Sequence, residues 1–155
     1  MTAFLEAIYD LMEIIMKPII GWIKPESPLA KVVAAGEAVS KKAMFGCQMC
    51  GQCILHSTGM ICPMNCPKTL RNGPCGGVRD NGHCEVKPEM RCVWTRAYLG
   101  SLKMRKYGHE INIIQPPVNH QLKNTASWVD MYQGVDKTNI ENWYDSAIEE
   151  VNHAS

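Results

Sequence analysis

The chain has 155 residues, which sets the expectation of one small domain with arms. Its net charge of +1 gives no global attraction to nucleic acid. No apolar run reaches the ~18 uncharged residues of a membrane span, and the N-terminus lacks the basic start of a secretory signal. The expected compartment is therefore the reducing cytoplasm, where clustered cysteines are metal ligands more often than disulfides.

Residues 3 to about 17 read as a helix. Its apolar side chains fill most of the wheel, and Glu6, Asp10, Glu13 and Lys17 make one narrow polar stripe. Such a helix buries most of its circumference, inside this fold, against a partner subunit or on a membrane surface. Pro18 should kink or stop it. Ser27-Pro28 is a helix start, with Ser as N-cap and Pro at the first position. That second helix is predicted from Pro28 to about Ala43, with Leu29, Val32, Val33, Ala35, Gly36 and Val39 on one face.

From Gly46 to Glu85 glycine and proline recur so densely that no period persists. This stretch reads as irregular turns, with one short helix around Pro67 to Arg71. A helix follows from about Glu89 to Lys106, with Cys92 in its first turn and Gly108 as its stop. Ile111 to Ile114 is a short strand or extended arm, and Pro116-Pro117 is extended. Residues 123 to 133 hold one or two helical turns around Trp128. Thr138 to about Val151 reads as a helix, with Thr138 and Glu141 as a capping box. Its apolar face is Ile140, Trp143, Tyr144, Ala147, Ile148 and Val151.

All eight cysteines fall between Cys47 and Cys92. Cys47, Cys50 and Cys53 form a C-x2-C-x2-C run, and three thiolates so close face one point only if the backbone curls around it. Cys62, Cys66, Cys75, Cys84 and Cys92 complete the set. Eight thiolates make two tetrahedral sets, with three possible fillings: two 4Fe–4S clusters, one cluster plus one zinc, or zinc alone. A ferredoxin-like run takes its fourth ligand from a distance, before a proline, which Cys62-Pro63 or Cys66-Pro67 supplies. The zinc reading rests on the paired spacings Cys50/Cys53 and Cys62/Cys66, with His56 and His83 as spare donors. No phosphate loop, catalytic triad or carboxylate pair is visible, so no catalytic residue is expected. From Lys68 to Lys106 there are nine Lys/Arg against three acids, while from Gly108 onward seven acids face two lysines. The basic middle alone suggests a zinc module for nucleic acid, but no recognition-finger pattern accompanies it.

The string from Cys62-Pro63 through Cys66-Pro67 to Arg71-Asn72-Gly73-Pro74-Cys75-Gly76-Gly77, with Cys84-Glu85-Val86 and Cys92-Val93-Trp94, resembles the methylenetetrahydrofolate reductase C-terminal domain family. The resemblance covers about residues 44 to 105. It implies a small cysteine-rich subunit beside a flavin-dependent methylenetetrahydrofolate reductase in one-carbon metabolism. The partner would be a TIM barrel holding flavin and folate, and this chain would carry iron–sulfur clusters and pass electrons, or brace the barrel with zinc. Carried over by position, all eight cysteines are ligand candidates, while the roles of Arg71 and Asn72 stay open.

The expected architecture is mainly α with a large irregular, metal-bound cysteine-rich region, in a small single domain with an extended C-terminal arm. Its expected parts are N-terminal helices over 1–43, a cysteine-rich metal-binding domain over 44–107 and an acidic arm with a terminal helix over 108–155. The first helix and the arm are the expected means of docking on the partner.

Overall fold

The computed structural model describes residues 2–135. Helix α1 spans Thr2–Ile20, α2 Pro28–Phe45, α3 Val93–Ser101 and α4 Ser127–Gln133. Four single 3-10 turns join them, at His56–Thr58, Pro63–Asn65, Gly108–Asn112 and His120–Leu122. Among the described residues there is no strand, only the isolated bridges Val78–Cys84 and His83–Arg91. The fold is mainly helical, as expected. The helix expected over 138–151 lies outside the described residues.

Helix α2 begins where its sequence signal places it. The Ser27 hydroxyl accepts the Ala30 N–H at 3.2 Å, Pro28 opens the helix, and left-handed Gly46 closes it through the carbonyls of Lys41 and Lys42. Helix α1 stops at Ile20, two residues past Pro18, close to where the proline's missing donor places its end. Three other expectations are corrected. No helix forms at 67–71, where Thr69 takes a left-handed φ of 51°. The expected helix over 89–106 is trimmed at both ends, and Cys92 is its N-cap. Residues before it are spent on cross-links, since the Cys84 N–H donates to the Met90 carbonyl at 2.9 Å. Residues 105–107 turn their N–H groups toward α1 instead. Residues 111–114 form no strand, because 108–112 coil into a 3-10 turn.

The two N-terminal helices present their polar sides inward. Glu6, 4% exposed, accepts the backbone N–H groups of Arg105 and Lys106 at 2.8 Å each and of Tyr107 at 3.0 Å. Asp10 accepts the Tyr107 hydroxyl at 2.7 Å and Lys106 Nζ at 3.2 Å. On α2 the buried residues are Ala30, Ala34, Glu37 and Lys41, whereas Leu29, Val32 and Val39 of the predicted face are exposed. Glu37 caps α4 from another element, taking the N–H groups of Ser127 at 2.8 Å and Trp128 at 3.1 Å. Lys41 bridges Glu37 at 3.1 Å and the Ser127 hydroxyl at 2.8 Å. The outer faces of α1 and α2 consequently carry bare apolar side chains, among them Phe4, Leu11, Ile14 and a 92%-exposed Trp22 in the turn after α1.

Three apolar clusters hold the molecule. One joins α1, α2 and α4 around Ile20, Ile23, Ala34 and Val129. The other two contain cysteines: Val93, Trp94 and Ala97 with Cys66 and Cys92, and Leu55 and Met60 with Cys62. No helix of the described residues is long and apolar enough to cross a membrane.

Candidate metal centres

The cysteines fall into two groups of four. Cys47, Cys50, Cys53 and Cys62 line one pocket with Met49, Met64 and Arg71. Cys66, Cys75, Cys84 and Cys92 line another with Leu70, Val78 and Trp94. The division is sequential along the chain. It also separates Cys62 from Cys66, so this pair does not act as one zinc knuckle. All eight are free thiols. Neither histidine considered as a spare donor lines these pockets. His56 Nδ1 meets Glu110 Oε2 at 2.5 Å, and His83 Nδ1 meets the Pro88 carbonyl at 2.7 Å. Among the described residues, no three His, Cys, Asp or Glu side chains are arranged to hold a single metal ion.

The first group owes its shape to backbone curl. Gly46, Met49 and Gly51 all take left-handed φ values, of 61°, 49° and 76°. Gly51 tolerates no side chain, since a Cβ there would lie 2.2 Å from the Leu122 carbonyl oxygen. The curl turns amide donors toward sulfur. Met49 N–H reaches Cys47 Sγ at 3.3 Å, Leu55 N–H serves Cys53, and the N–H groups of Gln48 and Met64 serve Cys62. Cys47 and Cys62 share a hydrogen bond. That bond, then the Met49 N–H and the Lys41 charge, draw the Cys47 thiol down to about 6, and the Cys62 thiol rises correspondingly. Cys53 is pushed up by its apolar surroundings.

Spacing alone does not mark Lys41 or Arg71 as site residues, though Arg71 belongs to the Arg71–Gly77 motif. Both are buried at 8% and 7% exposure beside this group. Burial alone would lower the Lys41 pKa, but the electrostatic pull of the Cys53 sulfur and of the Glu37 carboxylate, which also accepts a hydrogen bond from the ammonium, outweighs it, and the net direction is up. The Glu37/Lys41 spacing of four was the signal available for this pair.

The second group is held by a loop folded on itself. Arg79 N–H donates to the His83 carbonyl at 2.9 Å, and Cys92 N–H to the Gly82 carbonyl at 2.9 Å. Cys92 is then the N-cap residue of α3. Lys68 pairs with Glu85 beside it.

The Arg71–Gly77 string reaches both groups, and several of its positions have a visible task. Arg71 lines the first pocket. Asn72 clamps the later chain, donating to the Gln115 carbonyl at 2.7 Å and accepting the Gln115 N–H at 2.8 Å. Gly73 lies under Trp94, where a Cβ would meet the indole at 2.5 Å. Trp94 Nε1 in turn donates to the Leu70 carbonyl at 3.2 Å. The Gly73–Pro74 peptide is cis, and Cys75 enters the second pocket.

A family model described as methylene-tetrahydrofolate reductase C terminal matches residues 28–121. The chain belongs to this family. The match takes in both cysteine groups and extends beyond the span read from motifs, adding all of α2 and the turns up to residue 121. In this methylene-tetrahydrofolate reductase C-terminal chain, α1 and α4 lie outside the matched region, yet both pack against the matched α2. No curated protein and no solved structure shows a significant match.

Proposed function

We propose that this chain is an iron–sulfur electron-transfer subunit of a methylenetetrahydrofolate reductase-type complex, non-catalytic by itself. The observation that carries the reading is the sorting of eight cysteines into two separate pockets of four. Four thiols and apolar walls in each pocket, with amide N–H groups aimed at sulfur in the first, suit a four-iron cluster in each. The C-x2-C-x2-C run with Cys62-Pro63 as its fourth member gives the first group its ferredoxin-like order.

Such clusters, when bound, supply reversible one-electron transfer. The chain's own residues set the conditions for it. Amide donors from Met49, Leu55, Gln48 and Met64 stabilise negative sulfur in the first group. Buried Lys41 and Arg71 add positive charge there, which favours the more negative, reduced state. Trp94 and Leu70 exclude water from the second group. The exposed apolar faces of α1 and α2 provide a surface for a barrel-shaped partner carrying the flavin.

The alternative is a zinc-stapled structural subunit of the same kind of complex. It draws on the second group, whose loop is closed on itself by the bridges Val78–Cys84 and His83–Arg91 and whose four thiols would match a zinc ligand set. Co-expression with the reductase subunit distinguishes them. The proposal expects anaerobic copurification of a brown complex in which dithionite-reduced chain reduces the partner's flavin. A colourless, zinc-loaded chain that fully supports the partner's activity would refute it.

A further inference from the structure

Among the described residues that line the second cysteine pocket, Lys68 alone is charged. Its ammonium pairs with Glu85 and also interacts with the Cys75 sulfur. An exposed lysine ordinarily sweeps a wide volume, and holding it in one place costs entropy. Here its partner is fixed from behind. The antiparallel bridge Val78–Cys84 sets Gly77 opposite Glu85. The Glu85 carboxylate occupies the space that a side chain at Gly77 would take. A Cβ there would fall 1.9 Å from Glu85 Cδ and 2.1 and 2.2 Å from its two oxygens. The same atom added at Gly76 would meet nothing within 4 Å. Gly77 is not among the left-handed glycines, so its backbone conformation does not require glycine. Its missing side chain makes the seat for Glu85.

We infer that Gly77, Glu85 and Lys68 act as a unit that sets the reduction potential of the second cysteine group. Glu85, seated on Gly77, holds the Lys68 ammonium against Cys75. A cation beside the sulfur favours the reduced, more negative form of a cluster and so raises its potential. This role presumes the iron–sulfur reading above. It gives a task to Gly77 and Glu85, two motif residues which that reading leaves unused. The Lys68 and Glu85 side chains are 37% and 42% exposed, so solvent screens the charge. Its loss should change the ratio of reduced to oxidised cluster about threefold at a fixed potential, or ~30 mV for one electron.

Redox titration of the anaerobic full-length chain, followed by electron paramagnetic resonance, tests this once iron and sulfide have been counted. Lys68→Met should lower one of the two midpoints by that amount and leave the other in place, with about eight iron atoms retained. Lys68→Arg keeps the charge and should restore most of the shift. Gly77→Ala should displace only the flexible end of Glu85. In that background the shift caused by Lys68→Met should shrink by at least about half, since Lys68 is no longer held. Four results overturn the proposal: unmoved midpoints in Lys68→Met, a Lys68→Arg shift as large as that of Lys68→Met, an undiminished shift in the Gly77→Ala background, or loss of iron from Lys68→Met, which would make Lys68 a structural support. A wild-type chain without iron refutes the cluster reading itself. That outcome is distinct from a full iron count with unmoved midpoints, which refutes the role of Lys68 alone.

Discussion

Glu6 offers the sharpest test of the inverted first helix. Its carboxylate accepts three backbone N–H groups from Arg105, Lys106 and Tyr107, about 100 residues away in sequence, at 2.8–3.0 Å. Hydrogen bonds to a charged acceptor contribute about 1.5–3 kcal/mol each when buried, but water reaches the neighbouring exposed residues once the carboxylate is gone. Glu6→Ala should therefore cost about 3–4 kcal/mol rather than the full sum. Glu6→Gln keeps one acceptor oxygen and should cost about half as much. In urea, with a slope of about 1–3 kcal/mol/M, the Glu6→Ala loss moves the midpoint down by about 1–4 M. Far-UV circular dichroism of anaerobic protein reads it. Burial by itself would raise the Glu6 pKa, but the three N–H bonds outweigh it and the net direction is down. Its stabilisation is thus complete above the unfolded carboxyl pKa and is lost as pH falls through the lower folded value. Glu6→Gln should flatten that acid limb. An unchanged urea midpoint for Glu6→Ala, with an unchanged slope, would show that α1 is not held by its polar stripe.

Other substitutions probe the site and its supports. Lys41→Met leaves the Glu37 carboxylate buried without its cation and should cost about 3–5 kcal/mol, partly restored by adding Glu37→Gln; thermal unfolding of the single and double variants measures this. Gly59→Ala should cost about 2–4 kcal/mol, because left-handed backbone is combined with a Cβ placed 2.3 Å from the Ala97 carbonyl oxygen. Asn72→Ala removes both bonds to Gln115, so hydrogen exchange at the Gln115 amide should quicken about 30-fold, the equivalent of ~2 kcal/mol. An unchanged exchange rate would remove Asn72 as the clamp. Cys53→Ala and Cys84→Ala should each leave about four iron atoms per chain in place of about eight. If either single variant lost all its iron, the two groups would not be independent.

Local signals were legible where local chemistry decides. Ser27-Pro28 and Gly46 delimit α2 because a cap and a left-handed glycine act within a few residues. The Cys47–Cys53 run implied a backbone curled around one point, and the left-handed residues at 46, 49 and 51 form it. Burial on α1 and α2 was not legible, because apolarity normally points inward. Here Glu6 and Glu37 are claimed by N–H groups some 90 to 100 positions away, which no helical period reports. The same holds for the division between Cys62 and Cys66. Spacing pairs them, but the 3-10 turn at 63–65 sends them to different pockets. The end of the expected 89–106 helix was lost for a related reason, since residues 105–107 use their amides on Glu6 and not on a further helical turn.

The measurement that bears most directly on the central claim is the iron, acid-labile sulfide and zinc content of anaerobically purified full-length chain. Two four-cysteine groups each holding a four-iron cluster require about eight iron and about eight sulfide per chain, with negligible zinc. Zinc filling the cysteine groups, with no iron or sulfide, would contradict the account.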